Sequence, residues 1–277
     1  MKIQNKTIDE LKEIAKKIRL GIIDAVYYGK SGHPGGSLSI ADIMTVLYFD
    51  EMNIDSEKPD WEERDRLVLS KGHCSPALYS ALAYRGFFPI EDLKTFRNIN
   101  SYLQGHPDRK HIPGVDMTTG SLGQGLSAAN GMAIAGKIEN KNYRVYCILG
   151  DGELEEGQIW EAAMSANKYK LDNLCVIIDN NNLQIDGTID EVMSSKPIDE
   201  KFRSFGFEII KIDGHNLEEI KSAFEVARNI KNKPVCIIAN TIKGKGVSYM
   251  ENKPEWHGKA PNDEEYKQAV EDIKKMN

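Results

Sequence analysis

Residues 145–152 read VYCILGDG, a run of apolar residues that ends in Gly-Asp-Gly. Such a run without polar alternation is typical of a strand buried on both faces of a parallel sheet. The two glycines let the backbone approach a ligand closely, and the helix that follows offers free N–H groups to a phosphate. Asp151 is therefore a candidate ligand-binding residue, although a helix cap at a plain βα turn is an alternative for this motif taken alone.

Further short apolar runs alternate with helical patterns along the chain, which favours a parallel sheet with helices on both faces. The runs are 67–69, 174–178, 208–212 and 235–239. Apolar residues at helical spacing predict helices over 8–28, 39–49, 76–84, 122–138, 158–169, 217–230 and 263–277. Ser39 is the expected N-cap of the second helix. We predict an α/β fold with a doubly wound, mainly parallel sheet, in a single domain (1–277) with an N-terminal helical extension.

The composition is that of a folded protein rather than a disordered or coiled-coil one, since 40% of the 277 residues are hydrophobic and 28% are charged. Lys and Arg total 36 against 42 Asp and Glu, a net charge of −6, so the chain has no overall attraction to nucleic acid or anionic lipid. The four cysteines are isolated and suggest neither a zinc site nor a redox pair. A polar N-terminus and the lack of a long apolar run predict a cytoplasmic protein without a membrane span.

A second polar segment follows the run at 174–178, where Asp179 precedes three consecutive asparagines and Leu183. Consecutive parallel strands usually lie side by side, so one of these asparagines and Asp151 can converge. A carboxylate, an amide oxygen and a loop carbonyl form the hard oxygen site that Mg²⁺ prefers. The three asparagines leave the register open, and an ordinary turn is the alternative for this segment taken alone.

Four of the six histidines lie in loops rich in glycine and proline. An imidazole bound to a backbone carbonyl is the simpler explanation for any one of them. Together they indicate proton transfer and phosphate binding near neutral pH, because imidazole titrates in that range. These residues are His33, His73, His106 and His257.

The other two histidines and two lysines carry weaker signals. His111 lies in a basic loop and is expected to be solvated, and His215 is expected to shape a turn or cap the next helix. Lys243 and Lys245 are candidates for phosphate binding, with a solvated loop as the alternative.

The Gly-Asp-Gly motif followed thirty residues later by Asn181 resembles the thiamine diphosphate enzymes, and the histidine contexts resemble the N-terminal part of transketolase. The resemblance implies thiamine diphosphate and Mg²⁺ as cofactors. It implies metal ligands at Asp151, Asn181 and the carbonyl of Leu183, and a diphosphate contact at Gly152. Glu156 matches a glutamate in a carboxylate network that joins cofactor sites across the family's dimer.

The resemblance also assigns roles to the histidines and to the segment 120–122. His73 and His257 would lie near the cofactor diphosphate, and His33 and His106 nearer the substrate hydroxyls. With Glu156, these four are the expected catalytic residues. The residues expected to pack on the aminopyrimidine are Gly120, Ser121 and Leu122, with Ser121 where the family commonly has proline.

The resemblance covers residues 11–261, which match only the first of the three domains of an ordinary transketolase. We therefore expect the N-terminal subunit of a split transketolase, active in an α2β2 assembly with a C-terminal subunit that supplies the pyrimidine-binding and C-terminal domains. The expected reaction transfers a two-carbon ketol unit from a ketose phosphate to an aldose phosphate.

Alternative functions are a split transketolase for a branched or sulfonated sugar, and a non-catalytic binding protein that kept the fold. The α subunit of a 2-oxo acid dehydrogenase shares the Gly-Asp-Gly to Asn spacing but does not explain the four histidine contexts. A dinucleotide-dependent oxidoreductase is disfavoured, because no G-x-G-x-x-G follows an early strand.

Overall fold

A computed structural model describes residues 6–276, which form one sheet of five parallel strands. The strands are β1 (Arg66–Leu69), β2 (Val145–Gly150), β3 (Leu174–Asn180), β4 (Glu208–Asp213) and β5 (Val235–Asn240). Their order across the sheet is β1-β2-β3-β5-β4. All carboxyl ends therefore lie along one edge, where open α/β sheets bind their ligands.

Helices cover both faces of this sheet, because alternate strand residues enter two different apolar clusters. In β2, Tyr146 and Ile148 belong to one cluster, and Cys147 and Leu149 belong to the other. The predicted doubly wound α/β fold is confirmed. The α-helices of the described residues are α1 (Ile8–Tyr28), α2 (Pro34–Ser39), α3 (Ala41–Val46), α4 (Ser75–Arg85), α5 (Gly125–Ile138), α6 (Gly157–Lys168), α7 (Ile189–Val192), α8 (Ile198–Ser204), α9 (Leu217–Asn229) and α10 (Asp263–Lys275).

The N-terminal helix is confirmed over its whole predicted length. Thr7 and Glu10 form a capping box at its start, which satisfies two backbone N–H groups that have no partner inside the helix. Leu11, Ile18 and Ile22 are fully buried on its inner face. The predicted closing helix is confirmed as α10, while Asn277, like residues 1–5, lies outside the described residues. None of the helices among residues 6–276 is long and apolar enough to cross a membrane.

The start predicted for the second helix is wrong. Pro34 begins α2, which ends at Ser39, and α3 begins at Ala41 and continues as a π-helical segment, Leu47–Glu51. The hydroxyl of Ser39 donates to Asp179 at 2.6 Å, so a carboxylate 140 residues away in sequence takes the group expected to cap the helix.

The helix predicted over 122–138 begins later, at Gly125. Gly123 has a φ of 84°, in the left-handed region that favours glycine and interrupts a right-handed helix. Residues 120–124 therefore form an irregular segment in front of α5, and this segment reaches the carboxyl edge of the sheet.

Candidate functional site

A cleft of about 380 Å³ opens at the carboxyl edge of the sheet, between the segments that follow β1, β2, β3 and β5. The structure brings eleven of the twelve predicted site residues together in its lining. These are His33, His73, His106, Gly120, Leu122, Asp151, Gly152, Glu156, Asn181, Leu183 and His257. Ser121 is the exception and lines a neighbouring cavity that shares His106 and Gly120 with the cleft.

Asp151 lies directly after β2 and is only 2% exposed. Its carboxylate accepts hydrogen bonds from the backbone N–H groups of Gly152, at 2.9 Å, and Asn182. Burial raises the pKa of Asp151 to about 7, and the nearby carboxylate of Asp179 adds to the rise. No Lys or Arg within residues 6–276 forms a salt bridge with Asp151, so a cation bound beside it would favour its charged form beyond what the two N–H donors and the more distant Lys71 contribute.

Asn181 and Leu183 follow the neighbouring strand, β3. The side-chain N–H of Asn181 donates to Asp179 at 2.9 Å, which orients the amide, and its oxygen accepts from the backbone N–H of Leu183 at 3.1 Å. The carbonyl of Leu183 accepts from Lys243 at 3.0 Å. Of the three asparagines, Asn180 bonds instead to Asn240, and Asn182 has a φ of 62° and a buried side-chain oxygen without a partner.

These groups fit the metal that the family resemblance implies. No cluster of three His, Cys, Asp or Glu side chains suited to a metal occurs in the described part of the chain. A metal in the cleft would therefore use a mixed set of one carboxylate, one amide oxygen and one carbonyl, from Asp151, Asn181 and Leu183. Hard oxygen donors around an uncompensated carboxylate suit Mg²⁺, which retains water and phosphate among its ligands.

A buried ion pair in the lining of the cleft, between Lys71 and Asp179, was not predicted from the sequence. Asp179 is fully buried and accepts hydrogen bonds from Lys71, Thr241, Ser39 and Asn181. Burial alone would raise the pKa of Asp179, but Lys71 and the other donors outweigh it and lower the pKa. The only sequence signal for this ion pair was the position of Lys71, which lies just after β1 and two residues before His73.

Three imidazoles form a compact group at one side of the cleft. The ring centroids of His33, His73 and His257 lie 5.1–5.3 Å from one another. Burial lowers the pKa of His33 to about 4, with help from Arg97, and that of His257 to about 3, with help from Lys243. Burial also holds the pKa of His73 well below its usual value. All three rings are therefore neutral near pH 7 and can both donate and accept hydrogen bonds.

This arrangement predicts how the His257 ring responds to a neighbouring charge. Replacing Lys243, whose Nζ lies 2.9 Å from His257 Nδ1, with methionine is expected to raise the pKa of His257. The pKa should stay below 6.5, because burial is the larger cause. NMR titration of the ligand-free chain measures it, and Lys245→Met, which removes a lysine paired with Glu251, is the matched control. An unchanged pKa in the Lys243 variant, or an equal rise in the control, would contradict the assignment.

His106, Gly120 and Leu122 line another part of the cleft. Gly120 has a φ of 155°, and a Cβ atom at this position would lie 2.9 Å from the ring of His106. Any larger residue would therefore displace the imidazole. Ser121 and Leu122 are exposed beside it, and Leu122 is an apolar side chain that a flat ligand ring could contact.

Two glutamates near the cleft differ in their surroundings. Glu156 is exposed at the rim, where it contacts Gly123. Glu153, which was not predicted, is 3% exposed and accepts hydrogen bonds from Ser70 and from the backbone N–H groups of Gly123 and Gly150. Glu153 thus joins the ends of β1 and β2 to the segment before α5.

The contacts and positions of the four residues with weaker signals show which of them lie at the cleft; these are His111, His215, Lys243 and Lys245. His111 is exposed, as expected, and bonds to Asp108. His215 lies in the turn between β4 and α9, which was one of the two expectations, but it does not cap α9, because the side chain of Asn216 does so. Lys243 is 2% exposed and lines the cleft. Lys245 lies outside the cleft lining, so the structure does not bring it to the site.

The fold and the cleft define a doubly wound α/β domain of the kind that binds phosphorylated cofactors at its carboxyl edge. The chain belongs to the transketolase family, because residues 10–274 match the family described as "Transketolase, thiamine diphosphate binding domain". The predicted resemblance is confirmed, and thiamine diphosphate is the cofactor of this family.

Two relatives are similar over nearly their whole length. The chain is 48% identical to the 6-deoxy-6-sulfo-D-fructose transketolase subunit SqwG of Clostridium sp. (strain MSTE9), with 96% of this chain and 97% of that protein covered. It is 43% identical to an apulose-4-phosphate transketolase subunit of Phocaeicola vulgatus, with 96% and 94% covered.

Solved transketolase structures also match this chain, but the match covers a smaller part of their own length. The transketolase from Campylobacter jejuni matches with a TM-score of 0.91 and 38% identity over 97% of this chain, but over only 43% of that chain. This chain thus spans less than half the length of that solved transketolase. Two relatives of nearly equal length are named as subunits, which implies that they function with a partner.

Proposed function

We propose that this chain is the N-terminal subunit of a two-component transketolase, which binds the diphosphate of thiamine diphosphate through Mg²⁺ as a single cofactor-binding domain. With a C-terminal partner subunit, it transfers a two-carbon ketol unit from a ketose phosphate, or from its sulfonated analogue, to an aldose phosphate. The observation that carries the proposal is that the oxygens of Asp151, Asn181 and Leu183 share one cleft with the three clustered imidazoles.

The residues of the cleft divide into those that hold the cofactor and those that face the sugar. Asp151, Asn181 and the Leu183 carbonyl would hold Mg²⁺, and Gly152 would contact the diphosphate. Bound thiamine diphosphate supplies the nucleophile and the electron sink needed to cleave a carbon–carbon bond beside a carbonyl. The residues proposed to pack on its aminopyrimidine are Gly120, Ser121 and Leu122.

The histidines are proposed to orient both ligands. His73 lies near the Lys71–Asp179 ion pair, and His257 contacts Lys243, whose ammonium has no carboxylate partner among residues 6–276 and suits a diphosphate. His33 and His106 would face the sugar hydroxyls, where neutral imidazoles hydrogen-bond without the cost of burying a further positive charge. Such fixed contacts orient the sugar for reaction, since binding remote from the reacting carbon contributes to positioning.

The proposal of a partner subunit is supported by the lengths of the relatives. This chain covers 97% and 94% of two proteins named as transketolase subunits, but 42% of the human transketolase. We propose that the partner supplies the pyrimidine-binding and C-terminal domains in an α2β2 assembly. We propose that Glu156 contacts a second polypeptide, which its exposure at the rim of the cleft supports.

Calorimetry of cofactor binding tests the first half of this proposal. With the partner present, thiamine diphosphate is expected to bind in Mg²⁺ and to lose most of its affinity in excess EDTA, because its diphosphate is held through the metal. Inorganic pyrophosphate with Mg²⁺ should compete. Binding that is equally tight with EDTA would remove the metal site from the proposal.

The donor sugar is proposed from the names of the two subunit relatives, which favour an unusual sugar. The two subunit relatives are named for 6-deoxy-6-sulfo-D-fructose and apulose 4-phosphate. We propose that the sulfonated ketose is the preferred donor, because the relative named for it shares more identity, 48% against 43%. Donor rates of the reconstituted enzyme should be highest with 6-deoxy-6-sulfo-D-fructose, and a higher kcat/KM with fructose 6-phosphate or apulose 4-phosphate would contradict this assignment.

A further inference from the structure

The segment 241–246 follows β5 and carries Lys243 into the cleft. The Lys243 ammonium donates to the Leu183 carbonyl at 3.0 Å and lies 2.9 Å from His257 Nδ1, so it contacts residues on two sides of the cleft. A long flexible side chain holds one position only when its backbone is fixed. The contacts that fix the backbone at Lys243 therefore help to determine where its ammonium lies in the cleft.

A network of three side chains outside the cleft holds this segment, and two of them bond to its backbone. His215 Nε2 accepts the backbone N–H of Ile242 at 2.8 Å, and the opposite ring nitrogen, Nδ1, lies 2.8 Å from Asp42. Because Nε2 accepts, the ring proton must be on Nδ1, where it is donated to the carboxylate. At the other end of the segment, Arg19 Nε donates to the carbonyl of Lys245 at 3.3 Å.

Asp42 connects these two contacts. Arg19 donates to both of its oxygens, at 2.9 Å and 2.6 Å, in the two-pronged geometry that fixes a guanidinium against a carboxylate. Asp42 and Arg19 are almost completely buried. The three residues come from α1, α3 and the end of β4, so the network ties distant parts of the chain to one loop.

We propose that Arg19, Asp42 and His215 are positioning residues that hold the segment 241–246 so that Lys243 faces the cofactor diphosphate. This inference rests on the proposed function, because it assigns Lys243 a role toward the cofactor. None of the three lines the cleft. Other bonds fix the same segment, among them those from Thr241 N–H to the Asn180 carbonyl, from Gly244 N–H to the Gly35 carbonyl and from Asn252 N–H to the Lys243 carbonyl, so loss of the network should loosen the segment without unfolding it.

Two substitutions of His215 separate positioning from a general structural role. In His215→Gln, the side-chain oxygen can reach the place of Nε2 and still accept from Ile242. In His215→Asn, the shorter amide reaches only the place of Nδ1, so it can donate to Asp42 but leaves the Ile242 N–H without its acceptor. Thermal unfolding of each ligand-free variant verifies that both remain folded.

Amide hydrogen exchange of the full ligand-free chain is the first measurement. His215→Asn is expected to speed exchange in the peptide covering 241–246 about tenfold, since a partly buried N–H has lost its partner, and His215→Gln should exchange close to wild type. Equal exchange in His215→Asn and wild type, or equal acceleration in both variants, would overturn the proposal.

A double-mutant cycle for thiamine diphosphate affinity, with Mg²⁺ and the partner subunit present, is the second measurement. His215→Asn is expected to weaken binding about tenfold in the wild-type background and to have little effect in a Lys243→Met background, because its action passes through Lys243. Additive effects would overturn the link to Lys243. If wild type itself fails to bind thiamine diphosphate, the proposed function fails, and the exchange measurement still decides whether His215 holds the segment.

Discussion

Replacing Asp151 with asparagine is expected to abolish Mg²⁺-dependent binding of thiamine diphosphate. The substitution keeps the size of the side chain and one oxygen but removes the only carboxylate among the three proposed metal ligands. The carboxylate is buried without a salt-bridge partner, so under the proposal the bound Mg²⁺ would supply the charge that compensates it, and loss of the carboxylate would mean loss of the metal. We expect a loss of affinity of about 100-fold or more, since removing a charged partner from a buried site costs on the order of 3 kcal/mol.

The measurement is calorimetry of thiamine diphosphate with saturating Mg²⁺ and the partner subunit. Asp190→Asn is the matched control, because Asp190 is exposed on α7, shortly after the asparagine segment, and pairs with Lys196. The control should bind like wild type. Affinity of Asp151→Asn within about threefold of the control would show that Asp151 does not hold the metal.

The strands and their carboxyl-end loops could be predicted from the sequence because each buried strand is a short apolar run followed by glycine or polar residues. The adjacency of β2 and β3 followed from the tendency of consecutive parallel strands to pair, and the structure pairs Gly150 with Asp179. The sequence left the choice among three asparagines to the family resemblance. The structure separates them, because only Asn181 turns its amide toward Asp179.

The missed features all depend on contacts between distant residues. Lys71 and Asp179 are 108 residues apart and each is unremarkable in its own segment. Ser39 was predicted to cap a helix, but its hydroxyl donates to the same carboxylate, a contact between distant residues that the local sequence does not show. His215 could not be distinguished from a capping residue, because its partners, Asp42 and Ile242, come from α3 and the segment after β5.

We expect the rate of ketol transfer to depend strongly on the partner subunit. The cleft is open on the side where Leu122 is 37% exposed and Ile185 is 66% exposed, so apolar groups that line it face solvent. A partner that covers them would exclude water and add the groups that face the aminopyrimidine. We expect ketol transfer to rise at least about 1000-fold when the partner is added, because general acid–base groups and fixed positioning each contribute factors of about this size.

Glu156 tests the same assembly from the side of this chain. Glu156→Gln keeps the size of an exposed rim residue and removes its charge. Under the proposed assembly it should lower the transfer rate of the complex, while leaving the thermal stability of this chain by itself close to wild type. An unchanged transfer rate would remove Glu156 from the contact, and a large loss of stability in the isolated chain would show that its role lies within the chain.

The most direct test of the central claim is reconstitution. Ketol transfer between a ketose phosphate or its sulfonated analogue and an aldose phosphate is measured with thiamine diphosphate and Mg²⁺, using this chain by itself, a C-terminal transketolase subunit by itself, and an equimolar mixture. We predict transfer only in the mixture. Transfer at the full rate by this chain without a partner, or no transfer by a mixture in which both polypeptides are folded and the cofactor is bound, would contradict it.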